Sequence, residues 1–287
     1  MQHEVLHGYR HDDALRASFN RLAKETFGLD FEPWYQNGFW NDKYDPHSIL
    51  IDGEIVANVS VNRIDGLLDG TERHYVQLGT VMTKPEWRRK GLIRKIMQAI
   101  QAECAQCDGL FLYAGDDVCG FYPKFGFVRA PETRYRLALQ PAAPAAAHSV
   151  PMATPEDWQA YLRAKRGLVS AAAFAQDTDD LHMFYLTQFM QDCLYFLPEL
   201  GAYVVASAEG NAVEISEVLA PGPVSLRAVC EAFGPQYSLF TFGFTPKDAA
   251  GLEPFDHVEE DCTFFVQGEP LSGELRRIGS FPAILHA

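Results

Sequence analysis

The sequence predicts an α/β protein with mixed sheets, built from a first domain and a second, smaller domain. Segments with strand-like and helix-like hydrophobic patterns alternate along the 287 residues, a length that suits two domains. Residues 1–139 carry 17 basic and 19 acidic side chains, whereas residues 140–287 carry 7 and 19. Residues 140–150 are rich in Pro and Ala and lack a core pattern, so they are expected to link domains 1–139 and 151–287.

Composition narrows the functional class. The net charge of −14, concentrated in the second half, disfavours nucleic acid as a partner and leaves open a cationic partner or a plain solvated surface. The N-terminal residues lack a signal-peptide pattern and no apolar run suits a membrane span, so a cytoplasmic protein is expected. Six cysteines do not suggest a disulfide framework, and the lone CxxC (Cys104, Cys107) predicts no metal site.

The N-terminal region predicts a short strand at 5–9 and then a helix that acidic residues open and Gly28 ends. The following segment, 30–44, is crowded with aromatic side chains. These side chains form core or cover, or they wall a substrate pocket. The candidate substrate contacts among them are Trp34 and Tyr35.

Strands are expected at 47–51, 54–63 and 74–83, with turns at Asp52-Gly53 and at Gly66–Gly70. The third strand leads through Lys84-Pro85 into a basic loop and then a helix with an apolar face. Six of the 24 Lys and Arg residues lie between positions 84 and 95. Because the first backbone N–H groups of a helix lack intrahelical partners, this loop and helix predict an anion-binding cradle.

After this helix, residues 110–114 predict a buried strand and Gly115-Asp116-Asp117 a short helix. The motif FYPKFGF follows at 121–127, and a last strand of the first domain is expected at 133–139. The predicted order of elements is β, α, α, β, β, β, α, β, α, β.

This order, together with two motifs, resembles the GCN5-related N-acetyltransferases, the GNAT superfamily. The first motif is Arg88-Arg89-Lys90-Gly91-Leu92-Ile93 between a strand and a helix, and the second is FYPKFGF at 121–127. The resemblance covers about residues 1–139 and implies the GNAT fold. One position departs from the family pattern, since Ile93 stands where the family usually has Gly or Ala.

The resemblance implies that the cradle binds the pyrophosphate of coenzyme A and that the strand before it pairs with the pantetheine arm. Acetyl-coenzyme A is then the acyl donor. The alternative is a solvated basic face or a nucleic-acid patch. The implied cofactor-binding residues are Val81, Met82, Thr83, Arg88, Arg89, Lys90, Gly91, Leu92, Ile93 and Arg94.

Tyr122 is the catalytic candidate, because family members place the tyrosine of this motif beside the sulfur. A phenol stays protonated at neutral pH and can protonate a leaving thiolate. Packing on the sheet is the alternative role. The general base is open, because strand 74–83 carries no carboxylate. Asp116 and Asp117 either face the cleft or cap the short helix, and His74 is a weaker candidate.

In the second half, helical segments are expected from 154 to 193 with an interruption near 177–180. A hairpin at 201–219, a helix at 225–233 and strands at 237–245 and 258–267 should follow. This succession resembles a degenerate GNAT-like unit. Its expected phosphate loop, Ala220-Pro221-Gly222-Pro223, has no Lys or Arg, so no coenzyme A is expected there. This half is expected to wall the acceptor pocket, to form a homodimer, or both.

These observations favour an acetyl-coenzyme A-dependent N-acetyltransferase. The expected acceptor is a primary amine of a small molecule or peptide, which attacks directly in a ternary complex. A cationic acceptor would suit the acidic second half. The alternative from another class is a non-catalytic acyl-coenzyme A sensor that keeps the cradle and uses its acidic domain for partner contacts.

Overall fold

The computed structural model describes residues 4–176 and 179–282, in which strands and helices form a mixed α/β protein around two sheets. Within these ranges the helices are α1 (Asp13–Phe27), α2 (Glu32–Gln36), α3 (Leu92–Glu103), α4 (Pro155–Ala164), α5 (Asp179–Gln188), α6 (Leu226–Glu231) and α7 (Leu271–Ile278). The strands are β1 (Val5–Leu6), β2 (Tyr44–Ile51), β3 (Glu54–Leu68), β4 (Thr71–Thr83), β5 (Gly109–Gly115), β6 (Val128–Arg129), β7 (Glu132–Ala138), β8 (His148–Ser149), β9 (Val169–Ser170), β10 (Phe174–Gln176), β11 (Leu194–Leu197), β12 (Ala202–Glu209), β13 (Ala212–Ala220), β14 (Leu239–Phe242), β15 (Glu253–His257) and β16 (Cys262–Gln267). Short 3-10 turns lie at Pro85–Trp87, Asp116–Val118 and Tyr122–Phe125.

The first sheet has the strand order β1-β2-β3-β4-β5-β16-β6, with β10 added beside β3. Its strands are antiparallel except for the pair β4 and β5. Helix α3 lies on one face, where Val59 and Val61 of β3 join its core. Because side chains alternate along a strand, Asn58 and Ser60 point to the other face, which α1 and α2 cover. The sheet therefore separates an aliphatic core from a largely aromatic one.

The second sheet has the order β15-β7-β14-β13-β12-β11-β8, with β9 added beside β13. Here β13 and β14 are parallel and α6 connects them, as a parallel pair requires a crossover. The architecture of the second half is thus a mixed sheet with a strand-helix-strand crossover, as expected for the second α/β unit.

The two sheets exchange strands across the linker. Strand β7, which ends the first predicted domain, lies in the second sheet between β15 and β14. In return, β16 from the second half lies between β5 and β6 and pairs with β5 over six residues. That residues 1–139 and 151–287 are separate domains stays a prediction, but the two sheets do not divide at residue 139.

Helix α7 also joins the second half to the first sheet. The carboxylate of Glu274 accepts hydrogen bonds from the Arg73 side chain, with Nε to Oε2 at 2.9 Å, and from the Tyr75 hydroxyl at 2.6 Å. Both β4 residues are thereby tied to the C-terminal part of the chain. Tyr75 is buried, so this contact lies inside the protein rather than on its rim.

The local signals at the N-terminus act as expected. The Asp12 carboxylate accepts from the N–H groups of Ala14 and Leu15 at 3.0 Å, which satisfies two of the unpaired donors of α1. Gly28 ends α1 in the left-handed region with φ of 73°, a conformation that glycine adopts without strain.

Long-range contacts make several predicted elements wrong. Gly66 lies within β3, because β10 pairs there and a Cβ at Gly66 would lie 2.6 Å from the Phe174 ring. The helices expected up to residue 193 are interrupted by β9 and β10, and residues 177–178 of the expected break lie outside the described residues. The strand expected at 258–267 forms as β16 (Cys262–Gln267), but it lies in the first sheet. Strand β15 (Glu253–His257) of the second sheet was not expected. Among the residues described, no helix combines the length and apolar character needed to span a bilayer.

A fragment of residues 1–139 is expected to lack a cooperative thermal transition by circular dichroism. Without β16 and α7, the edge of β5 and the buried rings beside it would be exposed to water. The control is the full chain with a protease site inserted at the exposed residues 142–144 and then cut. Its two pieces should stay associated and unfold cooperatively. A fragment that melts as sharply as the full chain would contradict the importance of the exchange.

Candidate active site

The parallel strands β4 and β5 separate soon after they meet. They pair only at Tyr75–Gln77 with Gly109–Phe111. Beyond Gln77, β4 keeps its partner β3 on one side, while β5 pairs with β16 on its far side. The edge of β4 that faces β5 thus has no strand partner from Leu78 to Thr83 within the described residues. Unpaired backbone groups at a strand edge are a template for an extended ligand.

A β-bulge in β4 lies at this separation. Two residues, Thr80 and Val81, stand opposite the single residue Val59 of β3, and Thr80 has a φ of 48°. The bulge shifts the alternation of side chains, so Val81 packs against the α3 core and Met82 joins the aromatic core. Bulges of this kind bend a strand away from its neighbour, which is the geometry observed here.

Buried polar side chains hold the bulge in place. The Asn58 amide donates to the Thr80 carbonyl at 2.9 Å and to the Ser60 hydroxyl at 2.9 Å, and it accepts from Ser48 at 2.8 Å. The Tyr44 and Thr80 hydroxyls are 2.8 Å apart. Since Asn58 is fully buried, each of these bonds compensates for desolvation. The sequence gives no local signal for this network.

The basic loop forms the expected cradle at the end of β4. Gly91 has a φ of 79° and space around it, so the backbone conformation rather than crowding requires glycine. Helix α3 begins after it without a side-chain cap, so its first N–H groups point outward. The residues at the mouth of the cradle are exposed cations, namely Arg88, Arg89, Lys90 and Arg94.

The cations in and next to the loop differ in the contacts that they make. Lys84 is engaged by Glu54 at 2.6 Å, so its charge is turned away from the helix end. The Lys90 ammonium lies 4.1 Å from the centre of the Trp87 ring, a cation–π contact within the loop. The side chain of Ile93 packs partly into the α3 core, away from the exposed backbone of the loop.

Tyr122 lies beyond the end of β5, on the α3 side of the sheet. Its ring packs against Phe127 and Phe265, and Phe265 is paired with Leu112 of β5. Burial raises the pKa of Tyr122 to about 12, with smaller contributions from neighbouring groups that include Cys119 and Asp117. The hydroxyl makes no hydrogen bond to the described residues, so protein contacts hold the ring but not the oxygen. Both roles expected for Tyr122 fit its ring position, and the proton on its oxygen is retained at neutral pH.

The two candidate carboxylates, Asp116 and Asp117, lie near Tyr122 but are exposed to solvent. Asp116 and Asp117 are exposed in a 3-10 turn whose start has no side-chain cap. Asp116 accepts from the Thr263 hydroxyl at 3.2 Å. His74 is hydrogen-bonded to Asp65 at 2.8 Å and lies six residues before Thr80, roughly 20 Å away along an extended strand. These positions give none of the three the burial typical of a tuned general base.

The aromatic segment has two different fates. Trp34 is buried, donates its indole N–H to the Asp180 carbonyl at 2.9 Å and lines a cavity of about 280 Å³ beside Thr80. Tyr35 does not line this cavity, because its ring stacks under the Arg16 guanidinium at 3.8 Å and its hydroxyl contacts His11. The substrate role expected for Tyr35 is thus not supported, whereas Trp34 borders a pocket.

Phe31 and Tyr44, from the same aromatic segment, also line the cavity, whereas the rest of its wall was missed by sequence reasoning. The missed residues include Thr80 of β4 and, from α5 and the residue after it, Leu181, Phe184, Tyr185 and Phe189. Nothing in the α5 sequence indicates which of its apolar residues would meet a site some 100 residues earlier. Their contribution depends on how the two halves pack.

The corresponding place in the second sheet is filled by the chain itself. Strands β13 and β14 pair at 212–215 and then separate. The gap holds the segment around β9, in which Ala171 N–H donates to the Val218 carbonyl at 2.9 Å and Ala173 N–H to the Thr245 carbonyl at 2.7 Å. Backbone groups that a ligand could pair with are thereby satisfied. This supports the expectation that only the first unit binds a nucleotide-bearing ligand.

Parallel strands that separate at a bulge, next to a cationic helix N-terminus, define a class of proteins that hold an extended, phosphate-bearing ligand between two strands. Residues 12–127 match the model of the acetyltransferase (GNAT) family. This part of the chain belongs to that family, as the two sequence motifs indicated, and at the level of the family it is an N-acetyltransferase domain.

Solved structures share the fold over nearly the whole chain. A probable N-acyltransferase from Enterococcus faecalis V583 has a TM-score of 0.63 at 14% identity and covers 93% of this chain and 72% of its own. Eis1 from Mycobacterium abscessus has a TM-score of 0.55 at 15% identity, covering 96% and 75%. A GCN5-related N-acetyltransferase from Kribbella flavida has 0.55 at 14%, covering 92% and 71%. No curated protein matches the chain. At these identities the likeness establishes the fold, two α/β units in one chain.

Calorimetric titration with acetyl-coenzyme A is expected to give one site per chain, because the second gap is filled by residues 169–173. Arg88→Ala should weaken that site by roughly tenfold, since it removes one charge-assisted contact to phosphate. Arg163→Ala, an exposed arginine on α4, is the matched control and should leave the affinity unchanged. Two equivalent sites would show that the second unit also binds the cofactor.

Proposed function

We propose that the protein transfers an acetyl group from acetyl-coenzyme A to a primary amine, by direct attack within a ternary complex. The observation that carries this proposal is the separation of β4 from β5 at the Thr80 bulge, with the cationic cradle at the end of β4 and Tyr122 beyond the end of β5. Both ligands would then meet where backbone groups of β4 have no strand partner.

The residues present fit the donor in charge and in shape. The exposed cations Arg88, Arg89 and Arg94 and the first N–H groups of α3 suit a pyrophosphate. The edge at Val81–Thr83 has no strand partner among the described residues, although the Thr83 carbonyl accepts from the Arg88 side chain at 3.3 Å. It suits the amide groups of a pantetheine arm, which would add to β4 like a further strand. When bound, acetyl-coenzyme A supplies the acyl group as a thioester.

Tyr122 would protonate the sulfur as it leaves. Its pKa, raised to about 12 by burial, keeps the phenol neutral, so the hydroxyl remains a donor throughout the physiological range. A hydroxyl without a protein partner can turn toward a ligand without first breaking a bond. This is what a general acid requires.

A side-chain base is not needed in this proposal. Nine of the described residues line the cavity beside Thr80, and none of these nine is a carboxylate, histidine or lysine. The amine would therefore arrive neutral or lose its proton to water, and Asp116 and Asp117 would act only by their exposed negative charge near the cleft. This leaves the reaction dependent on the ionisation of the amine itself.

Direct transfer is favoured over an acyl-enzyme by the state of the nearest thiol. Cys119 is 6% exposed, and its sulfur contacts the Gly115 carbonyl at 3.7 Å and Asp116 at 3.8 Å. A covalent intermediate on this sulfur would require the buried side chain to leave these contacts.

Tyr122→Phe is expected to lower kcat by roughly 10²–10⁴-fold, the usual contribution of a general acid, with little change in the KM for acetyl-coenzyme A. Because the hydroxyl has no partner in the described protein, the melting temperature should be unchanged. Release of coenzyme A thiol over a panel of amines provides the measurement. An unchanged kcat would remove the role of Tyr122. If wild-type protein binds acetyl-coenzyme A but never exceeds background hydrolysis, the non-catalytic sensor is favoured instead.

The pH dependence of kcat/KM should show a rising limb only. An acid with a pKa of about 12 stays protonated well above neutrality, while the fraction of neutral amine grows as pH approaches the reference amine pKa of about 10. The rate should therefore increase up to about pH 10 without decline. A falling limb at lower pH that disappears in Tyr122→Phe would show that Tyr122 ionises earlier than its burial implies.

A further inference from the structure

The cavity beside the bulge is apolar almost throughout. Its volume is about 280 Å³. Most of its wall is aromatic or aliphatic, and among residues 4–176 and 179–282 no charged side chain lines it. The apolar wall includes Leu29, Phe31, Trp34, Leu181, Phe184 and Phe189.

Two hydroxyls mark the side of the cavity that is next to β4. The hydroxyls of Tyr44 and Thr80, 2.8 Å apart, lie where the cavity touches β4. Thr80 directly precedes Val81, the first residue expected to pair with the pantetheine arm. The side of the cavity nearest the proposed reaction therefore carries two hydroxyls, while most of the described wall is apolar.

The cavity and the cofactor cradle lie on opposite faces of the first sheet. Its lining residues belong mainly to the aromatic core under α1 and α2, whereas Tyr122 and α3 belong to the aliphatic core on the other face. A donor held in the gap between β4 and β5 would have the cradle on one side and this cavity on the other. An amine that binds in the cavity would therefore be next to the donor.

We propose that the acceptor is a primary amine with an aromatic or bulky apolar group, seated with that group in this cavity and its nitrogen toward Thr80. This inference rests on the proposed function. A cavity of about 150 Å³ holds benzene, so about 280 Å³ suits one substituted ring with a short chain. A polyamine would place its second ammonium among the described lining side chains, which are apolar apart from hydroxyls and include no carboxylate.

The mouth of the cavity supports an apolar occupant. Phe189 is 56% exposed although it follows a helix whose other apolar residues are largely buried. Its ring lies 5.7 Å from the Phe184 ring and 6.2 Å from the Tyr185 ring. An apolar ligand between these rings would cover the exposed face of Phe189.

The test compares 2-phenylethylamine with spermidine as acceptors in the thiol-release assay. 2-Phenylethylamine should have the higher kcat/KM, and Phe189→Ala should raise its KM by about tenfold, the size of effect that lost apolar contacts have on specificity. The KM for acetyl-coenzyme A should not change. Phe27→Ala is the matched control, because Phe27 is also about half exposed, at 50%, but lies outside the cavity.

Two results would overturn the inference while leaving the transferase intact. One is a higher kcat/KM for spermidine. The other is a Phe189→Ala enzyme whose KM rises for hexanoyl-coenzyme A but not for the amine, which would make the cavity an acyl-chain site.

If no amine is acetylated, the proposed function fails and calorimetry decides the cavity separately. Binding of 2-phenylethylamine to wild-type protein that is lost in Leu29→Trp, which fills the cavity, would support the apolar site. Absence of binding to wild-type protein, or equal binding to both proteins, would overturn it. Unchanged melting of Leu29→Trp shows that the variant is folded.

Discussion

The hydrogen bond from the Asn58 side chain to the Thr80 carbonyl fixes the geometry on which the site depends. A residue with positive φ in the middle of a long strand is strained, and it persists only where its surroundings hold it. Asn58 does so from a fully buried position in which its amide is also bonded to Ser48 and Ser60. The bulge that results turns β4 away from β5 and so creates the gap, the unpaired edge and the entrance to the aromatic cavity.

The two halves of the chain are coupled around this gap. β16 lies next to β5, α7 is tied to β4 through Glu274, and α5 closes the aromatic cavity. The loop at 220–223 of the second half carries no Lys or Arg, and residues 169–173 occupy the gap in its sheet. Its contribution to chemistry is therefore made in the first unit, by completing a sheet and walling a pocket.

Sequence patterns predicted the features that depend on nearby residues. The cap at Asp12, the glycine that ends α1, the basic loop before α3 and the motif containing Tyr122 are local, and each could be read directly. The exchange of β7 and β16 could not, because strand partners more than 100 residues apart leave no periodic trace. Of the two predicted substrate contacts, Trp34 lines the cavity, while Tyr35 beside it packs against Arg16. The number of aromatic residues in a segment does not show which of two neighbouring residues on a short helix faces the cavity.

The position of β16 in the sequence determines when the first sheet can be completed during synthesis. Strand β5 ends at Gly115, yet its neighbour on one side is complete only at Gln267. At about 5–20 residues per second, a ribosome needs roughly 8–30 s to make the intervening chain. During that time the first sheet has an open, hydrophobic edge, a state that chaperones recognise and that pairs with other chains. The nascent protein is thus expected to depend on protection until its last sixth is made, although the acetyltransferase motifs emerged long before.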